Sequence, residues 1–183
     1  MPSNPLPHPC GIACPYISKY AGGIHMNANR RQFTRDELDR IVAANISEYG
    51  WHAVNVIEDD NHPCWSYTIG LYETWGHPEL IVIGRSRATS HAMLKSLADD
   101  IELNDPPNLT NPDGHLLLGM KCHFLEVNPR YYSDYVGFAL WFYRKRRFPL
   151  YQIVWPNNDG LYPWDENAST ALKEWQPPLG QTE

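Results

Sequence analysis

At 183 residues the chain suits one domain with a core that needs no staples. Its balance of 43% hydrophobic to 20% charged residues is that of an ordinary globular protein. A formal net charge of -6 argues against a general nucleic-acid or membrane-surface binder, and the run Arg144-Lys145-Arg146-Arg147 is too short to reverse that.

No apolar stretch approaches the roughly 18 residues of a membrane span. The start Met1-Pro2-Ser3-Asn4-Pro5 lacks a signal pattern, so a cytoplasmic location is expected. Four cysteines in that setting fit free thiols or a metal better than disulfides. Seven Trp and eleven Tyr are many for this length. They fit a core and interface built from large rings, or else an aromatic-lined ligand cleft.

Residues 1–29 are rich in Pro and Gly, show no periodicity and read as an irregular lead-in. They hold Cys10, Cys14 and His25, ligand types that zinc prefers, so a zinc site there stands beside unconnected side chains as a reading. Phe33–Tyr49 is the best-signalled helix. Thr34 and Glu37 form a capping box, Leu38, Ile41, Val42 and Ile46 share one face, and Gly50 stops it.

Strands over 51–57 and 64–71 follow as a hairpin. Next come a loop through Tyr72–Pro78 and the apolar run Leu80–Ile83, expected beside Trp65–Leu71 in the sheet interior. Arg85–Glu102 reads as a helix burying Met93, Leu94, Leu97, Ala98 and Ile101. Asn104–Gly114 is a long polar loop, and Leu116–Val127 one strand kinked at Gly119. Asn128-Pro129 opens a third helix that runs, almost wholly apolar, to Tyr143. Tyr151–Trp155 is a last strand before an Asn-Asp-Gly turn. The domain is expected over 30–175, with a frayed tail over 176–183, where Pro177, Pro178 and Gly180 break regular structure. The fold class is α+β: a mainly antiparallel sheet of about five strands packed by about three helices.

Five pieces occur in order: Gly50-Trp51, Tyr67-Thr68-Ile69-Gly70-Leu71, Gly76-His77-Pro78-Glu79-Leu80, Gln152-Ile153-Val154-Trp155-Pro156, and Gly160 with Pro163-Trp164. Together they resemble a bacterial family known as domain-of-unknown-function family 4262, over roughly Phe33 to Asp165. The resemblance implies a compact α+β domain and brings no established activity.

Function is therefore read from the residues. The first reading is a small-molecule-binding or hydrolase-type enzyme. The loop ending in His77-Pro78-Glu79 and the turn Pro156–Asp165 would meet in a cleft, as sites gather on loops of a rigid scaffold. His77, Glu79 and Asp159 would be catalytic, since a His and a carboxylate two apart can share a proton. Tyr67, Thr68, Trp75, Gln152, Trp155, Trp164 and Asp165 would bind substrate. A zinc deaminase is excluded because His-x-Glu lacks its Pro-Cys-x-x-Cys. Cys122 and His123 face opposite sides of a strand and cannot be catalytic partners.

The alternative is a protein-interaction module, such as an immunity or inhibitor protein, with aromatic anchors. Convergence of Tyr67, Thr68, His77, Glu79 and Gln152 on one pocket would favour the enzyme. Their dispersal, with exposed aromatics elsewhere, would favour the module.

Overall fold

The computed structural model describes residues 35–59, 62–117, 120–144 and 146–181. Thr34 and the candidate zinc ligands Cys10, Cys14 and His25 lie outside the described residues. The chain runs through α1 (Arg35–Tyr49), β1 (His52–Val56), β2 (Trp65–Ile69), α2 (Leu71–Trp75), β3 (Glu79–Ile83) and α3 (Arg87–Glu102). It continues with β4 (Asp113–Leu117), β5 (Met120–Glu126), a 3-10 turn (Pro129–Tyr131), α4 (Tyr132–Tyr135), α5 (Gly137–Phe142), β6 (Leu150–Val154) and α6 (Thr170–Trp175).

These strands make one mixed sheet in the order β1-β2-β3-β6-β5-β4. The expected neighbours pair antiparallel, Tyr67 opposite Ile81. β3 and β6 pair in parallel, Glu79 opposite Leu150 and Val82 opposite Ile153. Both strands are nearly continuous apolar runs, as a pair covered on both faces requires. Alternation divides the core accordingly. Ile81 and Ile83 join Leu38, Val42, Phe138 and Tyr143 on one face. Leu80 and Val82 join Met93, Leu94, Leu97 and Trp155 on the other.

Several elements differ from the sequence reading. Leu71–Trp75 is a short helix where a loop was expected. Gly70 enters it at φ 112, and a Cβ there would lie 2.8 Å from the Gly50 carbonyl oxygen and 3.0 Å from Ile46. Only glycine allows that turn and that approach. The expected long helix after Asn128 is three pieces: a 3-10 turn runs directly into α4, and Val136 then leaves helical geometry at φ -129, ψ 40 and separates α4 from α5. The expected single strand Leu116–Val127 is instead a hairpin of two paired strands, β4 and β5, the first starting at Asp113. Ser86 caps α3 by accepting from the Thr89 amide.

The tail is the largest departure. Gln176 and Leu179 are buried, so the stretch expected to fray is docked as far as Gly180. Cys64 departs from the expectation of reduced cysteines, being disulfide-bonded; Cys122 is free and buried.

Candidate functional site

Glu79 opens β3 and is wholly buried. Its Oε2 accepts from the Thr68 hydroxyl at 2.5 Å. Its Oε1 accepts from the Gly70 amide at 2.9 Å, the Tyr72 amide at 3.1 Å and the Tyr143 hydroxyl. The Gly70 amide is shared with the Tyr143 oxygen at 3.2 Å, and Thr68 Oγ1 also accepts from the Leu80 amide at 2.9 Å. Burial raises the Glu79 carboxyl above its ordinary range, and the four donors pull against that rise. The Tyr143 hydroxyl is pushed upward by burial and by the carboxyl beside it. One carboxyl thus ties β2, β3, the start of α2 and the residue after α5 together, and its partners leave no room for a substrate.

His77 does not share a proton with Glu79 in this arrangement. Its Nδ1 bonds the Pro78 carbonyl oxygen at 2.7 Å, while the buried Nε2 has no hydrogen-bond partner among the described residues. Burial lowers its pKa, with the Pro78 bond opposing. Tyr67 is buried and its oxygen accepts from the Phe138 amide at 3.3 Å. Trp75 lies over Gly50.

Gln152 sits in the middle of β6, fully buried, and is spent on the tail. Its Nε2 donates to the Pro177 carbonyl at 3.0 Å and its Oε1 accepts from the Leu179 amide at 2.8 Å.

The cleft expected between the His77-Pro78-Glu79 loop and the Pro156–Asp165 turn does not form. The loop precedes β3 and the turn follows β6. Parallel pairing puts the start of one strand beside the start of the other. Loop and turn therefore lie at opposite ends of the pair, roughly 13 Å apart along the strand. Asp159 is exposed within its own turn, its amide donating to Asn157 Oδ1 at 2.9 Å.

At the far end two groups of side chains stand, Trp155 with Arg85 on the Cys122 face and a ring cluster around His123 on the other. Trp155 is buried, donates from Nε1 to the Ile83 carbonyl at 2.9 Å, and carries the Arg85 guanidinium 3.7 Å above its ring. Tyr162 and Trp164 lie parallel with centroids 5.1 Å apart. His123 meets both edge-on, at 4.7 and 5.6 Å. Asp165 holds the turn by accepting from the Tyr162 amide at 2.7 Å. Tyr162 is anchored to β5 through its hydroxyl, which donates to the Lys121 carbonyl at 2.8 Å. Burial lowers the His123 pKa and the Asp165 carboxylate opposes this. Cys122, one residue away on the other face, is pushed up to about 12 by burial first, so it is an inert thiol.

The sequence reading named Trp155, Trp164 and Asp165 here but missed Arg85, His123 and Tyr162. Tyr162 lies in the Tyr-Pro-Trp-Asp run beside Trp164 and was within reach of the reading. His123 and Arg85 arrive from other strands and carry no local signal.

Among the described residues no group of three or more His, Cys, Asp or Glu could hold a metal ion, and no helix is long and apolar enough to cross a membrane. No curated protein and no solved structure matches the chain. The model of a family described as Domain of unknown function (DUF4262) matches residues 45–169, well over half the chain, and the protein belongs to that family.

Proposed function

We propose that this domain is a binding module whose docking surface is the His123–Tyr162–Trp164 cluster with Asp165. The observation that carries this reading is the fate of three of the expected site groups, one called catalytic and two called substrate-binding. Glu79, Thr68 and Gln152 are buried and satisfied by internal hydrogen bonds. The cluster's rings are instead partly exposed, held by one another and by the bond from Tyr162 to Lys121. Stiff aromatic anchors lose little conformational freedom on binding and dominate interface energetics.

A second reading, a small-molecule ligand at the same cluster, is favoured by its position. It lies outside the carboxyl ends of the parallel pair, where α/β sheets commonly bind ligands. Burial also favours the neutral His123 imidazole, able to accept or donate a hydrogen bond.

A photo-crosslinking residue at exposed Glu166, beside the cluster, tests both. In the native host the module reading expects one discrete protein adduct, absent when the same residue is placed at Leu103 and lost with Trp164→Ala. The small-molecule reading expects no protein adduct but an added mass on the intact protein in native mass spectrometry, again lost with Trp164→Ala. Neither adduct nor added mass would remove the cluster as a binding site.

A further inference from the structure

The docked tail has features that a chain end packed by chance would lack. Two fully buried glutamines clamp it reciprocally. Gln152 on β6 takes the backbone of the tail, bonding the Pro177 carbonyl and the Leu179 amide. Those two groups flank Pro178, so the side-chain amide stands in for one residue of a neighbouring parallel strand. Gln176 on the tail does the same to the sheet: its Oε1 accepts from the Trp155 amide at 2.9 Å and its Nε2 donates to the Trp155 carbonyl at 2.8 Å.

Each residue between the clamps meets a requirement. Pro177 and Pro178 are half-buried and carry no N–H, so neither adds a donor that the sheet would have to satisfy. The Leu179 side chain is 1% exposed within the core, and its carbonyl accepts from the Asn128 amide at 2.8 Å. A Cβ on Gly180 would stand 2.1 Å from the Glu126 carbonyl oxygen, so that position admits glycine alone. The groove is therefore selective for a Gln-Pro-Pro-Leu-Gly segment.

Groove and occupant also belong to different stretches of the chain. The family match ends at residue 169, so Gln152, Trp155, Glu126 and Asn128 lie inside it and residues 176–180 lie beyond it.

We propose that β6 and the end of β5 form a recognition groove for a peptide segment of the Gln-Pro-Pro-apolar-Gly type, which residues 176–180 occupy in cis. A segment of that type on another chain is the partner the groove fits. Backbone capture by Gln152 supplies affinity, and the Leu179 pocket with the Gly180 contact supplies specificity, the division of labour common to peptide recognition by strand-like pairing.

The test uses the full-length protein with the tail displaced by Leu179→Asp or, independently, Gly180→Val, folding being checked by near-ultraviolet circular dichroism. The probe is a fluorescein-labelled synthetic peptide with the sequence of residues 174–183. Binding at least tenfold tighter to the two variants than to wild type is expected. Adding Gln152→Ala, or replacing the leucine of the peptide by aspartate, should each reverse the gain at least tenfold.

Equal binding to wild type and variants, or tight binding that survives Gln152→Ala, overturns the proposal. Should both variants unfold, hydrogen exchange of the unaltered protein decides. A detachable occupant exposes the Leu179 amide by local opening, faster than Leu80 or Ile153. Exchange of Leu179 only at the rate of those two would show a core segment and end the proposal.

Discussion

The two ends of the β3–β6 pair carry similar side chains and put them to opposite uses. At the amino end, Glu79, Thr68 and Tyr143 form a closed set in which every oxygen of the carboxyl has a donor. At the carboxyl end, His123, Tyr162, Trp164 and Asp165 are held from behind and stay partly exposed. The residue types alone would rank the first end as the catalytic one. A carboxyl surrounded by four donors and wholly shut from solvent has no capacity left for a substrate, whereas a half-exposed imidazole beside two rings has. Saturation, rather than identity, separates a scaffold from a site.

Four measurements test this contrast. The largest effect is expected from Glu79→Leu, which leaves the Gly70 and Tyr72 amides and the Thr68 and Tyr143 hydroxyls facing a hydrocarbon. A loss of about 3–5 kcal/mol in urea unfolding is expected, as for removing one partner of a buried polar network. A loss under about 1 kcal/mol would reopen Glu79 as a functional group held at a cost to stability.

Tyr143→Phe removes one donor to Glu79 and one acceptor for the Gly70 amide, both of which keep other partners. It should cost about 1–2 kcal/mol by the same measurement. At the other end Trp164→Ala removes ring contacts that are open on one side, and a loss of about 1 kcal/mol is expected. A larger loss there than for Tyr143→Phe would mean that the cluster is structural and the contrast between the ends is false.

The smallest effect concerns pH. Burial lowers His77 below its ordinary 6.5, so the unfolded chain takes up that proton before the folded one does. The contribution is fully present above about 6.5 and is lost as pH falls from there toward the folded value. The stability of wild type relative to His77→Gln should therefore decline on acidification from about 7.5 to about 5. Taking the difference between the two proteins cancels Glu79, whose raised pKa acts in the opposite sense above its ordinary value. A difference that stays flat with pH would show that His77 does not titrate differently on folding.

Much of the fold was legible in the residues. The helical spacing of Leu38, Val42 and Ile46, the apolar run Leu80–Ile83 and the buried stripe of Arg87–Glu102 are local patterns, and each became the element it suggested. The break at Val136 and the helix at Leu71–Trp75 were not legible. Apolar residues favour burial without choosing between one helix and three pieces, and five residues are too few to show a period.

The candidate cleft failed for a related reason. The two loops flank apolar strands whose patterns look alike read in either direction, so the pattern does not say whether the strands run parallel. That choice decides whether the loops meet.

The α+β class, the adjacency of the strands at Trp65–Ile69 and Glu79–Ile83, and the family follow from the residues alone, because each is built from short patterns whose order along the chain carries the information. Tertiary structure alone decided what the polar residues do. Glu79 is satisfied by donors 7 to 11 residues back together with a hydroxyl 64 residues along the chain, and Gln152 by a tail 25 to 27 residues away. Whether a buried polar group binds a ligand or its own fold depends on which partners reach it, and folding in three dimensions, not a local pattern, sets those partners.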